Sequence, residues 1–172
     1  MDEQKSATSG EVLIRTAERK DLPAIAEIYN HYVLHSTCTF ATEPEDAAYW
    51  NKWFEKHTGL HPAIVAERGR EVVGWGTLST WNSRCAYRQT VENSVYVREG
   101  CRRGGIGIAL MEELIRRARE LRHRVIIAQI AGDQAASEEL HRRMGFRKVG
   151  VLEGVGFKFE QWLDVALWQL QL

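Results

Sequence analysis

The chain has 172 residues, enough for one domain with a sizeable core. Lys plus Arg number 23 and Asp plus Glu number 23, so the formal net charge is zero, and no basic excess or basic run points to nucleic acid. Hydrophobic residues make up 44 %, the level of an ordinary globular protein, and no apolar run approaches the ~18 residues that a membrane span needs.

Residues 1–10, MDEQKSATSG, are polar, lack the apolar core of a secretory signal and read as a loose tail before a single domain over 11–172. Glu11 to Ala17 reads as a first strand. Asp21 with Pro23 two residues on is a helix start, and Leu22, Ile25, Ile28, Tyr29 and Tyr32 follow at helical spacing. STCTFATEPED is a loop, and Thr42 or Glu43 before Pro44 is expected to open a second helix with Trp50, Trp53 and Phe54 on one side. Two apolar runs around Arg68-Gly69-Arg70 form a hairpin. Val91, Asn93, Val95 and Val97 alternate with Thr90, Glu92, Ser94 and Tyr96 as a strand. Ile106, Leu110, Leu114, Ala118 and Leu121 stripe a long helix. RVIIAQIA is a buried strand, QAASEELHRRMGF a helix capped by Gly145, and RKVGVLEG and KFEQWLDVALWQLQL are two closing strands. The order is β-α-α-β-β-β-α-β-α-β-β, a mixed α/β arrangement around one sheet.

Cys38, Cys85 and Cys101 are widely spaced with no CxxC pair, which argues against a zinc ribbon or redox motif and fits a reducing, cytoplasmic setting. His31 and His35 have helical i,i+4 spacing, but no HExxH and no third ligand accompany them, so no metal is expected. The six tryptophans read as packing residues.

The stretch VREGCRRGGIGIALMEELI passes from strand to helix through glycines and two arginines. Unpaired N–H groups and the helix dipole at such a start attract an anion, glycines let it approach, and Arg102 and Arg103 add charge-assisted bonds. No Gly-Lys-Ser/Thr follows, against an NTP P-loop, and Gly105-x-Gly107 is followed by Leu110, against a dinucleotide fingerprint. A bare glycine turn with solvated arginines is the competing reading. The remaining pattern, Arg102-x-x-Gly105-x-Gly107, resembles the pyrophosphate arm of the GNAT N-acetyltransferase superfamily, whose element order the chain also follows. That resemblance implies a GNAT fold, a mixed and mostly antiparallel central sheet flanked by helices, and acetyl-coenzyme A as cosubstrate.

IYNHYVLHSTCTFATEP, AYRQTVENSVYV, LHRRMGF and GFKFEQWLDVALWQ are similar to the phosphinothricin acetyltransferase group, which includes enzymes acetylating methionine sulfone and methionine sulfoximine. The resemblance implies Glu92 as the base that takes the ammonium proton and His141 as the acid for the leaving thiolate. A free Glu titrates near ~4.3, so Glu92 needs burial or a relaying water to serve. Cofactor contacts are implied for Val95, Tyr96, Val97, Arg102, Arg103, Gly104, Gly105, Ile106, Gly107, Ile108, Ala109, Gln134 and Ser137, with a strand bulge over 94–97. Phe40, Arg84, Tyr87, Thr90 and Glu92 are implied to hold the acceptor, Arg84 by bidentate binding of an anionic group. Two departures stand out: Asn82 where phosphinothricin enzymes carry Lys, which disfavours an anionic tail, and Gln134 where the group carries Asn. The expected acceptor is a small amino-acid-like amine (methionine sulfone, methionine sulfoximine, phosphinothricin or a related toxic glutamate analogue such as arsinothricin), the expected assembly a homodimer, with neither nucleic acid nor membrane as partner. A polyamine, an aminoglycoside or a protein N-terminus as acceptor, and a non-catalytic acetyl-coenzyme A module, are the alternatives.

Overall fold

The computed structural model describes residues 10–172, so the expected N-terminal tail lies, except for Gly10, outside the described residues. Strand β1 (Val12–Thr16) leads into helices α1 (Leu22–His35) and α2 (Ala47–Lys56). The hairpin β2 (Ala63–Arg68) and β3 (Glu71–Thr80) is followed by β4 (Thr90–Val97) and α3 (Ile106–Glu120). Strand β5 (Val125–Ala131), α4 (Ala135–Arg143), β6 (Arg147–Lys158) and β7 (Gln161–Gln171) complete the chain. The seven strands form one sheet in the order β1-β2-β3-β4-β5-β7-β6, and only β4 and β5 run parallel. Both the element order and the mixed, mostly antiparallel sheet are as the sequence implies.

Period-two alternation divides the core. Val91, Ile126, Ala128 and Ile130 face the apolar stripe of α3, with Leu110, Met111 and Leu114 fully buried between. On the opposite face Trp75 packs with Trp50 and the buried side of α1, and Tyr96 stacks on Trp75 with ring centroids 4.8 Å apart. Among the described residues no helix is long and apolar enough to cross a membrane.

Three local expectations need correction. Helix α2 opens at Asp46, whose Oδ1 accepts from the Tyr49 amide at 2.8 Å, and not at Thr42 or Glu43. Pro44 disfavours helical backbone before it, and Glu45 is tied to α1 by two hydrogen bonds with the Asn30 side chain, 2.9 and 3.0 Å. Asp21 does precede α1, but its carboxylate caps nothing in that helix: it receives both terminal nitrogens of Arg15, 2.7 and 2.9 Å. The last strand begins at Gln161, because β6 continues to Lys158 and Phe159-Glu160 make the turn. Both turn residues have positive φ, 51° and 60°, without the Asn or Gly that usually announces such a hairpin.

Candidate active site

Strands β4 and β5 pair only from Thr90↔Val125 to Glu92↔Ile127, then part, while β5 stays paired with β7 as far as Ala131. The opening leads into a cavity of about 1070 Å³ bounded by both strands, the 99–108 loop, α4 and the loop after α1. The expected bulge over 94–97 is not there: the β3–β4 register runs unbroken from Gly74↔Val97 to Thr80↔Val91. Backbone groups of β4 are exposed to the cleft because β5 diverges, not because β4 is kinked.

At one end of the cavity stands the start of α3. Gly105 precedes it with φ 77°, a left-handed conformation that glycine adopts without penalty, and among the described residues no side chain caps the helix. The first intrahelical bond is Ala109 N–H to the Gly105 carbonyl, 3.0 Å. The amides of Ile106, Gly107 and Ile108 are therefore the helix's open donors, and all three residues line the cavity. Ala109 has spent its amide, and neither it nor Gly104 lines the cavity, so these two expected contacts are not brought to the site.

Arg102 and Arg103 both line the same end. Arg102 is oriented by α1: its Nε donates to Tyr32 Oη at 3.0 Å and its guanidinium lies over the Tyr32 ring, 5.0 Å from the centroid. The Tyr32 hydroxyl in turn donates to the Val97 carbonyl. Opposite, Gln134 heads α4, lines the cavity and gives its Nε2 to Thr37 Oγ1 at 3.2 Å.

At the other end of the cavity, Glu92 occupies the last position of β4 that pairs with β5. Gln129 of β5 donates to its Oε1 at 3.0 Å. Burial pushes the Glu92 carboxyl above its usual range, and the Gln129 bond partly opposes that. His141 reaches the cleft from α4 on the opposite face of the sheet. It is 5 % exposed, with Nδ1 2.8 Å from the Ser137 carbonyl, Nε2 3.1 Å from Asn93 Nδ2, and Phe146 edge-on to its ring. Burial lowers its pKa, favouring the neutral imidazole.

Phe40 lines the cavity wall, seated on the backbone of β6: a Cβ on Gly156 would stand 2.1 Å from its ring. The loop that carries Phe40 is fastened by Lys158, 3 % exposed, whose Nζ donates to the Ser36 and Thr39 carbonyls, both at 2.8 Å. Val95, Tyr96, Val97 and Ser137 line the cavity as expected. Arg84, Tyr87 and Thr90 do not: the first two are exposed on the loop before β4, where Asn82 Oδ1 accepts from the Arg84 amide at 3.0 Å, and Thr90 pairs with Val125. Asn93, Gln129, Tyr32 and Lys158 were missed, since each acquires its role through a partner at least 37 residues away. Among the described residues no three His, Cys, Asp or Glu side chains converge as a metal site.

Residues 14–167 match the model of the acetyltransferase (GNAT) domain. The chain is 39 % identical to the L-amino acid N-acyltransferase MnaT of Escherichia coli (strain K12) over 160 residues, 92 % of this chain and 93 % of that one. It is 38 % identical to an L-methionine sulfoximine/L-methionine sulfone acetyltransferase of Salmonella typhimurium, covering 92 % and 94 %. The crystal structure of a GNAT superfamily phosphinothricin acetyltransferase from Sinorhizobium meliloti in complex with AcCoA superimposes with a TM-score of 0.91 at 38 % identity, covering 94 % and 88 %.

Proposed function

Because this chain belongs to the GNAT acetyltransferase family and is an N-acetyltransferase, we propose that it acetylates the α-amino group of a free amino-acid-like substrate by direct transfer in a ternary complex. The acceptor set is methionine sulfone, methionine sulfoximine, phosphinothricin or a related toxic glutamate analogue, and the enzyme acts in the cytoplasm as a homodimer. The observation that carries this reading is one continuous cavity with an anion cradle at one end and a half-buried carboxylate, Glu92, at the other.

The residues fit coenzyme A. Open amides at the start of α3 with Arg102 and Arg103 suit a pyrophosphate, and the stretch of β4 beyond Glu92, left without a partner on the β5 side, suits an amide-bearing arm. When bound, acetyl-coenzyme A supplies the acetyl group as an activated thioester. Glu92 accepts a proton from the substrate ammonium, directly or through one water, and its raised pKa brings it closer to neutral pH. Backbone N–H groups near Val95 stabilise the charge that develops on the carbonyl oxygen. His141, bonded through Nδ1 to the Ser137 carbonyl and through Nε2 to Asn93, has no proton on Nε2 to give when neutral, so it would serve as an acid for the leaving thiolate only from its imidazolium form. Phe40 bounds the acceptor's side chain.

The test measures coenzyme A thiol release over a panel of L-amino acids and their sulfone, sulfoximine and phosphinate analogues. Glu92→Gln is expected to lower kcat by about 10²- to 10⁴-fold with unchanged acetyl-coenzyme A affinity. No activity on any α-amino acid would sink the substrate reading, and unimpaired turnover in Glu92→Gln would remove the base.

A further inference from the structure

Asn93 stands one residue beyond Glu92, where β4 has just parted from β5. Its side chain is 6 % exposed and belongs to the wall of the cleft on the α3 face. One end of its amide is committed, with Nδ2 3.1 Å from Nε2 of His141. The other ring nitrogen of His141, Nδ1, faces the Ser137 carbonyl at 2.8 Å. A carbonyl only accepts, so Nδ1 carries the ring proton. A neutral imidazole then has a lone pair on Nε2, which takes a hydrogen from the Asn93 nitrogen and would repel the Asn93 oxygen.

This chain of bonds, Asn93 to His141 to Ser137, fixes which way the amide points. Burial favours the neutral ring, and of the charged side chains lining the cavity from α4, Glu139 and Arg143, neither bears on its ionisation. The amide oxygen Oδ1 is thereby turned away from His141. It is fully buried and has no donor among the described residues. A buried carbonyl oxygen left without a donor is costly, so one at the wall of a ligand cleft marks a ligand contact. Its position along β4, beside Glu92 and remote from the anion cradle, puts that contact at the reacting end of the cavity.

We infer that Asn93 is a binding residue for coenzyme A, as acetylated cosubstrate or as free thiol product: Oδ1 accepts a hydrogen bond from an N–H or S–H donor at the thiol end of the coenzyme A arm, and His141 is the positioning residue that aims it. The inference rests on the acetyl-coenzyme A reading. Free coenzyme A offers a thiol S–H and amide N–H groups, whereas acetyl-coenzyme A offers only the amides, so the two ligands separate the sources.

Calorimetric titration of both ligands into wild type, Asn93→Leu and Asn93→Ala tests it. If the donor is S–H, both variants bind coenzyme A about two- to tenfold more weakly, the range of one hydrogen bond, with acetyl-coenzyme A unaffected. If the donor is N–H, both ligands weaken alike. Because the ratio of the two affinities is taken within one protein, partial loss of folded material does not imitate the first result. Unchanged affinity for both ligands overturns the inference and leaves the acetyltransferase reading standing; failure of wild type to bind either overturns both. For His141, ¹⁵N resonances should show a protonated Nδ1 and an unprotonated Nε2 in the free enzyme, and the opposite tautomer would overturn the positioning role.

Discussion

Glu92 is held between two opposing influences. Burial destabilises its charged form and raises its pKa; the Gln129 N–H stabilises the carboxylate and lowers it. Removing that donor in Gln129→Leu should raise the Glu92 pKa further. A base works only when ionised, so the acidic limb of the kcat/KM profile moves to higher pH, and activity is lost at a pH where wild type retains it. The groups around Glu92 make the sign legible: Ser79 is its cross-strand partner, with His57 behind at 2.9 Å from Ser79 Oγ, and Tyr96 lies four residues along its own strand. A profile that drops in height with both limbs fixed would mean that Gln129 only packs. The place of Glu92 at the cavity was legible in the sequence because a short motif surrounds it. Gln129 and Asn93 were not, because their partners become neighbours only when β5 and α4 are laid beside β4. Arg84 and Tyr87 show the reverse: the motif gave suitable residue types, but both are exposed and outside the lining of the cavity.

Strands and helices with a clear period were legible, and their ends were legible where local chemistry alone decides them. The start of α3 after Gly105 is such a case. The start of α2 is not, since Asn30 of α1 withholds Glu45 from the helix. The β6–β7 turn is not either, since Phe159 and Glu160 adopt positive φ without a glycine to signal it. That hairpin matters to the proposed acceptor pocket, because β6 carries both the seat of Phe40 at Gly156 and the Lys158 clamp on its loop. Gly156→Ala places a methyl group where the Phe40 ring now lies, 2.1 Å from Cε2, so the ring has to leave. The acceptor KM should then rise several-fold and the ranking of amino-acid side chains change, with acetyl-coenzyme A affinity preserved. Steady-state kinetics with two acceptors of different bulk checks this; an unaltered ranking would release Phe40 from the pocket.

For the molecule as a whole, the sequence shows the order of elements along the chain but not the order of strands across the sheet, in which β7 is inserted between β5 and β6. That insertion leaves β6 as an edge, and its neighbourhood exposes Val155, Phe157, Phe159 and Trp162, the last at 70 %. An apolar edge of this kind supports the proposed homodimer. Sedimentation should give twice the chain mass for wild type and the chain mass for Phe157→Glu with Trp162→Glu; identical sedimentation of the two would refute the use of this face. The short β4–β5 pairing reaches beyond catalysis. Strands β1 to β4 with α3 form one cohesive half, β5 to β7 the other, and along the sheet they are joined through three residue pairs, Thr90↔Val125, Val91↔Ile126 and Glu92↔Ile127. A coenzyme A arm bound in the gap, as proposed, would extend that short join by hydrogen bonds of its own, in the place of a further strand. Thermal stability and cosubstrate occupancy are then linked quantities: a ligand that binds only the folded chain adds about 2.7 kcal/mol when present at a hundred times its Kd.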